Sequence, residues 1–201
     1  MQKRLFLLIV ILTGTFLFYL SCEEKGVDKV TAGELIKKGW LKFEAGNFAD
    51  ARSDLSAALS ISTNATDSSG AFLGLGWAQL RGNQAGLAKN SFVEYLYLSP
   101  GSDDGRAGLA FAYWGQEKFQ SAIDTANAAL SSNSTWSFGH DPSINHLDLR
   151  LLLAQSYYEL ANFSRSLEIV QQYFDQSFNV DVNTPEGKTN LAEKIWILWT
   201  G

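Results

Sequence analysis

Four times along this chain a small residue sits inside a helical stretch, at Gly39, Gly76, Ala110 and Ala154. Nine residues after each stands Phe48, Ala85, Phe119 or Phe163, and twelve after it Ala51, Ala88, Ala122 or Ser166. Twenty residues on, an apolar side chain returns at Leu59, Leu96, Leu130 and Phe174. A register held this way predicts one structural unit used four times. Such a unit has an apolar face that it cannot bury alone, so neighbouring units stack. The spacing between units is 37, 34 and 44 residues, which places about three extra residues near positions 64–69 and about ten near 133–146.

The unit is clearest over residues 105–130, GRAGLAFAYWGQEKFQSAIDTANAAL. Leu109, Ala110 and Tyr113 fall on one helical face, and Phe119, Ala122, Ile123 and Ala126 on another. The break at 115–118 leaves room only for a tight turn between two antiparallel helices. Small side chains at Ala110, Ala122 and Ala129 let those helices approach closely. Thr31 and Glu34 have the spacing of a capping box that starts the first helix. The run Asn183-Thr184-Pro185-Glu186 reads as an N-cap with proline in the first turn of a last one. That last helix ends in IWILW, apolar all round, so it must be buried on several sides, fold into the rest of the protein, or meet a partner.

The repeated pattern resembles the tetratricopeptide repeat, a 34-residue helix–turn–helix unit. The resemblance runs over about residues 31–174 and is best in 44–59 and 115–130. It departs from the family's pattern at Lys38, Lys42, Tyr95 and Tyr173. It implies an all-α fold, a right-handed superhelical array of antiparallel helix pairs, with about four units and a C-terminal helix. The units fall at approximately 32–65, 69–102, 103–133 and 147–176, the helix at 185–199, all within a domain of residues 31–201. An irregular helical bundle is the competing architecture.

The first residues are of another kind. Lys3 and Arg4 precede an apolar run over 5–20, followed by Ser21, Cys22 and a polar change. Positive, apolar, then small is the order of a secretory signal, and the run is short for a bilayer span of ~20 residues. An uncleaved anchor helix is the alternative. The segment resembles a bacterial lipoprotein signal, with Tyr19 where that family usually places leucine. The resemblance implies cleavage of residues 1–21 before Cys22, lipidation of Cys22 and a tether over 22–30. It also implies a folded domain in the periplasm or at the cell surface of a bacterial envelope, the outer membrane being favoured. Each buried methylene of such a lipid contributes ~0.8 kcal/mol to membrane attachment.

Charge and composition narrow the function. Net charge is −5, and removal of the segment carrying Lys3 and Arg4 leaves 14 basic and 21 acidic side chains. Nucleic-acid binding needs a concentrated basic surface, so no nucleic-acid partner is expected. The single cysteine excludes an internal disulfide and a cysteine-rich metal site. Gly187, Lys188 and Thr189 lack the earlier glycine of a phosphate loop, Val182 standing in its place. His140 and His146, near Asp141 and Asp148, fall in a polar insertion where exposed or capping roles are commonest. No catalytic residues, cofactor or metal site are expected, and no enzyme.

What remains is an aromatic stripe. On the first helix of each unit, positions spaced i, i+4, i+7 share a face. They are Ile36, Trp40 and Phe43; Leu73, Trp77 and Leu80; Ala107, Phe111 and Trp114; Leu151, Gln155 and Tyr158. In tetratricopeptide arrays this face lines the concave groove that receives peptides or helices. The resemblance therefore implies a protein partner held by Trp40, Phe43, Trp77, Phe111, Trp114 and Tyr158, the protein serving as an envelope scaffold. Packing between units, or filling by the C-terminal helix, would instead make the stripe a core. The alternative function is a glycan- or ligand-binding lipoprotein of an outer-membrane uptake system, with Trp136 of the insertion as its candidate contact.

Overall fold

The computed structural model describes residues 29–201. The expected signal segment, Cys22 and most of the tether lie outside the described residues. The folded unit begins at Thr31. Its hydroxyl accepts a hydrogen bond from the Glu34 N–H (3.2 Å) while the Glu34 carboxylate accepts from the Thr31 N–H (2.8 Å). This capping box satisfies donors that the first turn leaves unpaired and starts α1 (Ala32–Glu44).

The described residues form nine helices. After α1 come α2 (Phe48–Ile61), α3 (Ala65–Arg81), α4 (Ala85–Leu98), α5 (Asp103–Trp114), α6 (Phe119–Ser132), α7 (His146–Glu159), α8 (Phe163–Tyr173) and α9 (Pro185–Thr200). The helices pack as the pairs α1–α2, α3–α4, α5–α6 and α7–α8, and each pair packs on the next. The first helices also form their own row, α1 on α3, α3 on α5 and α5 on α7, with α9 against α7 and α8. The fold is therefore the all-α solenoid of antiparallel helix pairs. Among the described residues no helix is long and apolar enough to cross a membrane.

The register residues are where two helices touch. Ala51, Ala88, Ala110, Ala122, Ala154 and Ser166 are fully buried. A Cβ on Gly39 would lie 2.6 Å from Leu55, and one on Gly76 2.8 Å from Phe92, so α1 and α3 reach their partners only without a side chain there. Lys38 and Lys42, the departures in the first unit, both reach Asp54 on α2, Lys42 Nζ lying 2.6 Å from it. In that unit a partly buried ion pair takes the place of apolar packing.

Each pair turns the same way. Gly46, Asn83, Glu117 and Ala161, seven residues after each register position, have φ of 78°, 56°, 58° and 60°. The next residue's N–H reaches back to a carbonyl five positions earlier, Asn47 to Lys42 at 2.8 Å and Asn162 to Tyr157 at 2.8 Å. This is the Schellman ending, which needs one left-handed residue. Only the first turn places glycine at that left-handed position.

The extra residues have two fates. Those near 64–69 lengthen α3 by a turn at its N-terminus, where the Asn64 side chain caps the Asp67 N–H. Those near 133–146 form a small hairpin. The Phe138 N–H donates to the Ile144 carbonyl (2.9 Å), the His146 N–H donates to the Trp136 carbonyl (2.7 Å), and Ser137 bridges Asn145. Buried Arg150 ties the base, donating to the carbonyls of Ser134 (2.9 Å) and His146 (3.1 Å) beneath the Tyr173 ring.

Candidate functional site

The row α1–α3–α5–α7 carries the aromatic stripe, and the hairpin lies on it. Phe138 is fully buried, its ring 4.2 Å from Trp77 at 21° and 5.9 Å from Phe43 nearly edge-on. Trp136 stacks more loosely on Trp77 at 6.3 Å, and its indole N–H donates to the Asp104 carboxylate at 2.7 Å. His140 lies flat on Trp40, centroids 3.6 Å apart and planes 3° from parallel. Its Nδ1 is 2.7 Å from the Glu44 carboxylate. Beside it Asp141 accepts from Arg81 at 3.3 Å.

This corrects the expectation of an open groove across four units. Phe43 and Trp77 keep only 2% and 1% exposure because the chain's own insertion covers them. Trp40 is half-buried under His140. The physical reason is local: Trp136 and Phe138 flank the bridged Ser137 and so fall on one face of extended backbone, His140 follows in the turn, and an uncovered aromatic stripe offers these rings a surface to bury against.

Farther along, the stripe stays open. Phe111 and Trp114 are half-buried and line a cavity of about 360 Å³ together with Trp77, Leu80, Ile144 and Trp199. Trp199 of α9 stands 5.3 Å from Trp114 at 30°. Trp199 is thus the ring by which the C-terminal helix enters this cavity. Trp196 and Ile197, in the same IWILW run, remain 68% and 59% exposed. Tyr158 packs edge-on to Phe163 (5.0 Å) and lines a neighbouring cleft between α7 and α9 with Gln155 and Trp196. The six predicted groove residues therefore divide: Trp40, Phe43 and Trp77 under the hairpin, Phe111, Trp114 and Tyr158 toward α9.

Reasoning from sequence passed over Phe138 and His140 as occupants of the concave face. The signal was present in Trp136, Phe138 and His140, an aromatic alternation of period two inside an otherwise helical chain. As for chemistry, His140 is engaged by Trp40 and Glu44. Among the described residues no three His, Cys, Asp or Glu side chains gather where they would hold a metal.

No family model matches the chain, and no curated protein matches it. Solved structures do. Residues 41 to the end of MamA from Desulfovibrio magneticus RS-1 superpose with a TM-score of 0.60 at 15% identity, over 74% of this chain and 76% of that one. TTC0263, a thermophilic tetratricopeptide protein in Thermus thermophilus, gives 0.56 at 16% identity over 84% and 83%. The first tetratricopeptide domain of human RPAP3 gives 0.53 at 14% over 68% and 97%. At these identities the likeness is one of fold.

Proposed function

We propose that this tetratricopeptide-like solenoid is a membrane-anchored interaction scaffold. Lipid on Cys22 holds it at a bacterial envelope membrane, and the open part of its concave face engages a protein partner. The observation that carries this reading is the cavity beside Trp114. It is an apolar recess on the inner face of a repeat array, rimmed by Arg81, Asn83 and Asp148. Recesses walled by aromatic rings with a few polar groups at the edge are where binding energy concentrates in interfaces. Aliphatic walls at Leu80 and Ile144 favour an apolar side chain over a polyhydroxylated sugar as occupant.

The test is chemical cross-linking in the native envelope, comparing the natural chain with Trp114→Ala and Cys22→Ala. A discrete partner that depends on Trp114, together with a lipid-modified N-terminal peptide that Cys22→Ala abolishes, is the expected result. An unchanged set of cross-linked proteins in the Trp114 variant would remove the groove from the function. An unmodified Cys22 would remove the anchor.

A further inference from the structure

The hairpin displays the chemistry that this concave face accepts. It presents Trp136 and Phe138, two residues apart on either side of the bridged Ser137, to Trp77 and Phe43, and His140, in the turn that follows, to Trp40. The filled half and the open half meet at Trp77, whose ring carries Phe138 and also borders the cavity. The cavity continues the ladder with Phe111, Trp114 and Trp199. At about 360 Å³ it is more than twice the ~150 Å³ of an engineered apolar cavity that takes up benzene. It has room for a large ring. Arg81 stands at the junction, holding Asp141 of the hairpin on one side and facing the cavity on the other.

We propose that the open half takes an extended segment of a partner protein bearing aromatic side chains two residues apart, continuing the ladder begun by Phe138 and Trp136. The partner is thus a chemical likeness of the hairpin. This rests on the reading of the concave face as an interaction surface and adds to it the partner's chemistry. A segment of this kind docks without displacing the hairpin, whose Trp136 and Phe138 rings are already buried and would lose that apolar burial if removed.

The probe is a dye-labelled synthetic peptide with the sequence of residues 133–143, NSTWSFGHDPS, titrated into the full chain and followed by fluorescence polarisation. Saturable binding is expected. Alanine in place of the peptide's Trp and Phe should weaken it by roughly tenfold or more, as for a hot-spot aromatic. So should Trp114→Ala and, as a second variant should that one fail to fold, Trp199→Ala. Tyr97→Ala, 84% exposed on α4, should leave it within about twofold. Amide exchange at Phe138 and His146, the two hairpin N–H donors, should be unchanged by the peptide.

Absence of saturable binding, indifference to both tryptophan variants, or faster exchange at Phe138 and His146 would each overturn the proposal. The last would mean that the peptide displaces the hairpin and does not sit beside it. A saturable response to oligosaccharides with none to the peptide would also overturn it, in favour of a glycan. Should the peptide fail while cross-linking in the envelope still depends on Trp114, the scaffold reading stands and the partner's chemistry falls.

Discussion

Phe138 lies on Trp77 with ring centroids 4.2 Å apart and planes 21° from parallel, a contact between an insertion after the third helix pair and the inner helix of the second. It joins residues 61 positions apart in sequence and closes half of the concave face.

Phe138→Ala removes the centre of that closure. A buried phenylalanine cut to alanine costs about 3–5 kcal/mol, and here the loss also uncovers Phe43 and Trp77. The urea midpoint should fall accordingly, and binding of an apolar dye should rise at denaturant concentrations where the helices persist. An unchanged midpoint would show that the hairpin contributes nothing to stability.

The four turns give a graded comparison. Left-handed backbone costs a residue with a Cβ about 1–2 kcal/mol, less for asparagine. Glu117→Gly and Ala161→Gly should therefore each stabilise the protein by about 1 kcal/mol, after the extra chain entropy of glycine is subtracted. Gly46→Ala should cost a similar amount, because Gly46 has φ 78° with no neighbour within 4 Å of a new Cβ. Thermal unfolding of the three variants checks the order.

Gly108 on α5 faces the Phe92 ring of α4 so closely that a Cβ would collide with it. Phe92 is fully buried and edge-on to Trp77 at 5.6 Å, leaving it little freedom to turn. Gly108→Ala should destabilise by about 1–3 kcal/mol through overpacking, despite the better helix propensity of alanine. Stabilisation by the few tenths to 1 kcal/mol that propensity alone predicts would mean that the α4–α5 contact yields easily.

Attachment of α9 should respond to acid. The hydrogen bond from Lys194, then that from the Ser177 hydroxyl, holds the Asp175 carboxyl down to about 2. A depressed folded-state value means that the stabilisation is complete above the unfolded carboxylate's range near 3.9 and is lost as pH falls through about 2. Tryptophan fluorescence, reporting the approach of Trp199 to Trp114, should hold steady down to about pH 4 and change between there and pH 2. Asp175→Asn should show a smaller change across that interval. A transition nearer pH 6 would point to another group.

Much of the architecture was legible because it is written in local spacing. Helical period, the small residues at Gly39, Gly76, Ala110 and Ala154, the cap at Thr31 and the capping run at 183–186 each concern neighbours within a few residues or within one helix pair. The roles of Lys38 and Lys42 were not readable this way. As single positions they look like lapses in an apolar pattern, and only Asp54 across the pair explains them.

The concave face divides along the same line. By itself the sequence determined that one face of each inner helix carries rings, and which rings they are, since helical geometry puts i, i+4 and i+7 together whatever surrounds them. Which of those rings face solvent was decided by tertiary structure alone. Exposure depends on what the chain places over them, and the hairpin at 133–146 and Trp199 arrive from distant positions with no spacing rule to announce where they land. Thus Phe43 and Trp77 became core, while Phe111 and Trp114 kept an open side.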